Sequence, residues 1–233
     1  MLEVEKKFIR NFLSRKHFNT GYVFVFVTLG LCLTLSNFYW HEGGFLSSYL
    51  PVNKILINQN HEYWRLFTST FIHGDLDHFL SNSLMLGFLT YFVSSFYGGK
   101  YSTFIAFFMG GITNLIVIQF YANETYLVGA SGVVYYLWGF WLLLYLLIQR
   151  QFSFPIRLMR VFGVFLILLI PTNYVPNTSY LAHYTGFILG VFVGLIYYTF
   201  HYKWLHSFEL YQYKIKNDVL SPELEEAYLD SLK

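Results

Sequence analysis

Five stretches of this chain contain no Asp, Glu, Lys or Arg: residues 17–41, 78–99, 101–123, 125–149 and 161–202. A helix needs about 20 mostly apolar residues to cross a bilayer, so each of the first four is long enough for one span. The fifth run of 42 residues is interrupted by Pro171, Asn173, Pro176 and Asn177, which turn the chain between two helices. Six spans are expected, at about 20–38, 76–97, 101–121, 130–149, 157–172 and 181–202. Composition agrees. Charged residues make up 12% of the 233, hydrophobic residues 55% and aromatics 22%, with a mean hydropathy of +0.44. Soluble domains carry about 25% charge, so a soluble, disordered or nucleic-acid-binding chain is excluded. The net charge of +2 calls for no polyanionic partner, and the lone cysteine, Cys32, excludes an internal disulfide.

Orientation follows from the basic residues. With the N-terminus inside, 13 of the 15 lysines and arginines fall in inside segments, and only Lys54 and Arg65 fall outside. Both termini are therefore expected in the cytoplasm, with a long outer loop over about 39–75. The basic N-terminus is not read as a cleavable signal, because no small-residue cleavage site follows its apolar run. Residues 1–19 read as a basic N-terminal segment, 20–202 as a six-helix membrane domain, and 203–233 as a partly helical tail. In that tail Ser221 and Pro222, followed by Glu223, Glu225 and Glu226, signal a helix start.

Polar groups inside spans are costly and point to function. His78 and His183 lie near the outer ends of spans two and six, His73 just before span two, and His201 at the inner end of span six. Asn82 shares a helix face with His78 at i, i+4. Ser131 stands in Gly129-Ala130-Ser131-Gly132 at the start of span four. Spans two, four and six all run from outside to inside. His78, Ser131 and His183 thus share one layer, on the order of 10 Å below the outer face at about 1.5 Å per residue. Ala182, Gly186, Gly190 and Gly194 form a small-residue ridge that lets span six press against another helix. Taken singly, each feature also has a plain packing explanation.

Together these residues resemble the rhomboid family of intramembrane serine proteases. His73 through Asn82 resembles the family's H-x4-H-x3-N, Gly129–Gly132 its G-x-S-G, Ala182–Gly190 its A-H-x2-G-x3-G, and Trp64-Arg65 the W-R of its first outer loop. The resemblance covers about residues 20–202 and implies an all-α, six-helix rhomboid-like bundle with a long first extracytoplasmic loop. It implies a dyad in which Ser131 is the nucleophile and His183 the general base. His78, Asn82 and Gly129 would serve the oxyanion and substrate, Tyr135 would stack on the base, and His73 would play a supporting part. The chemistry agrees: serine needs an adjacent base, and the first turn of a helix offers free N–H donors such as that of Ser131. The loop 171–180 would roof a wet cavity, and span five, with Phe162 and Phe165, would be a side gate. The family's acidic E-x3-G contact is missing after span two, where Ser94, Ser95, Gly98 and Gly99 stand.

No cofactor and no metal are expected; His61-Glu62 is not followed by the second histidine of a zinc-protease motif. The partners expected are the lipid bilayer and membrane protein substrates, single-pass by analogy, with no nucleic acid. The localisation expected is a bacterial inner (plasma) membrane. An inactive rhomboid-like protein that binds membrane clients is the alternative function; a small transporter, which would show repeated broken halves, is a weaker one.

Overall fold

The computed structural model describes residues 4–41, 45–170, 178–215 and 222–231. Six long helices carry the fold: α1 (Gly21–Trp40), α2 (Leu76–Tyr97), α3 (Ile105–Val117), α4 (Ser131–Ile148), α5 (Phe154–Leu169) and α6 (Tyr180–His206). A π-helical turn at Lys100–Phe104 precedes α3 and a 3-10 turn at Ile118–Phe120 follows it. Five of these units are long and apolar enough to span a membrane. The sixth, α5, lies where span five was expected but is 16 residues long, beginning three residues earlier and ending at Leu169. Pro155 in its first turn explains the earlier start, since proline has no N–H to waste there.

Helix α4 is the centre of the bundle. Tyr136, Leu137, Phe140 and Leu144 are fully buried along it. The outward surface is the inverse of a soluble protein's: Ile167 is 82% and Phe200 83% exposed, as suits helices whose solvent is lipid.

The glycine ridge performs as its spacing suggests. A Cβ at Gly186 would fall on the carbonyl oxygen of Gly132, and one at Gly190 on that of Tyr136. In return, a Cβ at Gly139 would strike the carbonyl of Phe187. Helices α4 and α6 therefore touch backbone to backbone, the closest approach that small residues permit. At the C-terminal end of α2, serine and glycine occupy the place of the missing acidic contact. Ser94 Oγ bonds Ser102 Oγ, and the Ser95 carbonyl accepts the N–H groups of His17 (2.9 Å) and Phe18 (3.0 Å).

Two small sheets tie the loops. β1 (Val4–Arg10) pairs antiparallel with β4 (Leu210–Ile215), Val4 opposite Ile215 and Lys6 opposite Tyr213. β2 (Val52–Asn53) pairs antiparallel with β3 (Tyr126–Leu127). The long first loop also holds short helices at Phe45–Tyr49, Lys54–Asn58 and Arg65–Thr68. Arg65 staples it from inside, 3% exposed, its Nε 2.5 Å from Glu62 Oε2 and its Nη1 2.7 Å from the Ser48 carbonyl. That ion pair holds the Glu62 carboxyl below its ordinary pKa. A tail helix begins at Pro222 as expected and runs to Asp230; its proposed cap, Ser221, lies outside the described residues.

Candidate active site

Asp75 starts α2: its side chain accepts the N–H of His78 at 2.7 Å, the hydrogen bond of a helix N-cap. This fixes the first turn, and His78 and Asn82 follow on one face. Asn82 Nδ2 donates to the His78 carbonyl at 3.0 Å; one hydrogen of that amide is used and the second is free by valence. Ser179 caps α6 in the same way, accepting from Ala182 N at 3.2 Å, and itself receives the Tyr121 hydroxyl at 3.0 Å.

The turn before α4 is the most constrained backbone at this end. Gly129 adopts φ +121°, a conformation that L residues rarely adopt. The His78 ring also lies over it, so that a Cβ there would come 2.8 Å from His78 Cε1. Two hydrogen bonds hold the turn. Gly129 N donates to the Ser69 carbonyl at 2.9 Å, and Ala130 N donates to His73 Nε2 at 3.4 Å. Ser69 is in turn held by Asn114 of α3, whose Nδ2 lies 3.0 Å from the Ser69 hydroxyl. With Nε2 accepting, His73 carries its proton on Nδ1, 3.1 Å from Ser36 Oγ of α1. Trp40 Nε1 donates to the His73 carbonyl at 2.7 Å. Burial, and then the neighbouring His78, push the pKa of His73 down to about 3, so the ring is neutral at working pH.

Ser131 is the first residue of α4, and His183 stands one turn before Gly186, where α6 meets the Gly132 carbonyl. Both line one cavity of about 1100 Å³, as do His78, Asn82 and Tyr135. The His183 ring stacks on Tyr135, centroids 4.0 Å apart and planes 12° from parallel. Tyr180 meets it edge-on at 5.8 Å. Among the described residues no carboxylate is hydrogen-bonded to His183, so the aromatic pair sets its ring plane.

Five of the seven residues singled out in the sequence thus share this cavity, and the other two, Gly129 and His73, stand behind it holding its wall. The expected roof, 171–180, lies outside the described residues except for Thr178, Ser179 and Tyr180. Thr178 and Ser179 both line the cavity. The expected gate helix α5 is fastened at its C-terminal end by two hydroxyls: Tyr135 donates to the Leu168 carbonyl at 2.8 Å and Tyr184 to the Leu169 carbonyl at 2.7 Å. Sequence reasoning passed over Asp75 and Asp77, which line the mouth of the cavity. The first was findable, since an acid at the start of an apolar helix is an N-cap signal.

The arrangement offers a hydroxyl at a helix start, a neutral-capable imidazole, and amide and imidazole donors around one enclosed space. No curated protein matches the chain significantly. The model of the Rhomboid domain family, however, matches residues 60–200, more than half of the chain and the part that holds the whole cavity. That family acts on membrane proteins within the bilayer. Together with five helices of spanning length, the match makes this a multi-pass integral membrane protein. The chain belongs to the rhomboid family.

Proposed function

We propose that this chain is an intramembrane serine protease with Ser131 as nucleophile and His183 as general base. The observation that supports this most is the placing of Ser131 and His183 on one cavity, with the imidazole stacked on Tyr135. His183 takes the proton of the Ser131 hydroxyl as Oγ attacks the scissile carbonyl, then gives it to the departing amine. Water in the cavity hydrolyses the resulting ester by the same route in reverse. The N–H of Ser131, unpaired in the first turn of α4, supports the oxyanion together with the side chains of His78 and Asn82. The turn at Gly129 keeps the backbone close to the substrate, and His73 positions that turn through Ala130. The 13 inward basic residues support an orientation with both termini in the cytoplasm of a bacterial cell, residues 20–202 in the membrane and 1–19 and 203–233 at its inner face.

A fluorophosphonate probe, which reacts only with an activated serine, tests the assignment. The wild type should be labelled in detergent and in lipid. Ser131→Ala and His183→Ala should fall to background, and Asn82→Ala should label about 100-fold more slowly if it supplies an oxyanion donor. A folded wild type that takes no label would instead support the client-binding, inactive reading.

A further inference from the structure

The mouth of the cavity carries charge of one sign. Among the described residues its lining contains the carboxylates Asp75 and Asp77 and no lysine or arginine. Asp75 is committed to capping α2 through the His78 N–H. Asp77, one residue before His78, is exposed, and among the described residues it has no side-chain partner. Among the described residues no lysine or arginine lines the cavity to neutralise it. The two basic residues of the first outer loop are engaged elsewhere: Arg65 is buried against Glu62, and Lys54 Nζ donates to the Gln119 carbonyl at 2.8 Å. The segment 171–177 brings none either, since its sequence contains no charged residue.

A carboxylate at the edge of a half-enclosed space bounded by protein and lipid has its field focused rather than spread through water. We propose that Asp77 makes the mouth of this cavity a subsite for a cationic side chain. The favoured substrates are membrane proteins with a lysine or arginine on the water-facing flank of the cleaved bond, and those with an acid there are disfavoured. Lysine and arginine are scarce on the outer flanks of membrane spans, so one carboxylate there separates a minority of candidate substrates from the rest. The inference rests on the protease reading above and adds a substrate class to it.

The test uses the full-length protein in neutral-lipid vesicles. The substrates are single-pass model proteins identical except for Lys, Gln or Glu placed in turn at each of several positions on the outer flank. For the wild type, kcat/KM should favour Lys over Glu by about three- to five-fold at the best position, mainly through KM. The preference should shrink in 0.5 M salt, as it must for a partly exposed pair. Asp77→Asn should bring the Lys-to-Glu ratio close to one, and Asp77→Lys should invert it. Each ratio is internal to one variant, so a loss of folded protein cancels. A ratio that is the same in wild type, Asp77→Asn and Asp77→Lys overturns the subsite while the cleavage itself upholds the protease. If no substrate is cut and Ser131 takes no fluorophosphonate, the protease reading fails and the subsite falls with it.

Discussion

His73 does its work through backbone rather than substrate. Its two ring nitrogens are divided between Ala130 N and Ser36 Oγ, and this division requires a neutral ring. The folded pKa of about 3 lies below the ordinary histidine value near 6.5. Below pH 6.5 the unfolded chain therefore binds a proton that the folded protein refuses, and stability falls as pH drops toward 3. Between pH 7 and pH 5 this single group should cost about 2 kcal/mol. His73→Gln, which offers an amide in place of the ring and cannot titrate, should lose clearly less stability over that interval than the wild type. Melting temperatures in detergent at the two pH values check this; equal losses in both proteins would remove His73 as the cause. The sequence marked His73 as a polar residue beside a span and the family pattern marked it as supportive. Its partners could not be read there, because Ser36 and Ala130 are 37 residues before it and 57 after it, and no local pattern links them.

The helices were legible because lipid imposes a plain code: a span must satisfy its own backbone and show apolar side chains, so length and charge-free runs nearly suffice. The ridge on α6 was legible for a related reason, since four-residue spacing places small side chains on one face. Which helix it meets was not, and the backbone contacts now name α4. Glycines in these helices consequently divide into two kinds. Gly190 has the Tyr136 carbonyl and the Phe140 N–H against it, whereas a Cβ at Gly163 on α5 would meet nothing within 4 Å. Gly163→Ala should be neutral or stabilising by up to about 1 kcal/mol, the usual gain in helix propensity. Gly190→Ala should do the opposite, because α6 must back away from α4 and carry His183 with it; a loss of about 1–3 kcal/mol is typical of overpacking. Thermal melts of the two variants side by side give the contrast, and similar melting temperatures would contradict the close α4–α6 contact.

At the scale of the whole molecule, the cavity end and its opposite end are built on different plans. The cavity end is held by helix caps and by side chains and a short sheet that tie its loops together. The opposite end is closed by the two termini, which the sequence presented as a basic stretch and a polar tail. Val4–Arg10 carries four charges in seven residues and has no apolar alternation, so only its pairing with β4, some 200 residues away, makes it a strand. Just beyond it, Asn11 Nδ2 reaches the Ile148 carbonyl at the end of α4, 3.3 Å away. Phe12 is fully buried, stacked on His17 at 4.0 Å and packed against Tyr97 of α2 and Trp204 of α6. One side chain from the first dozen residues thus joins the ends of α2 and α6 opposite those that carry His78 and His183. Phe12→Ala should cost about 3–5 kcal/mol, the range for emptying a buried aromatic site, and should lower the melting temperature more than removal of residues 1–8, which leaves Phe12 in place. Because α2 and α6 each run unbroken from the Phe12 end to the cavity, the loosened end should also slow fluorophosphonate labelling of Ser131 several-fold, although Phe12 lies at the far end of the bundle. A Phe12→Ala protein that melts and labels like the wild type would show instead that the termini merely lie on the bundle and that its cavity half holds the site unaided.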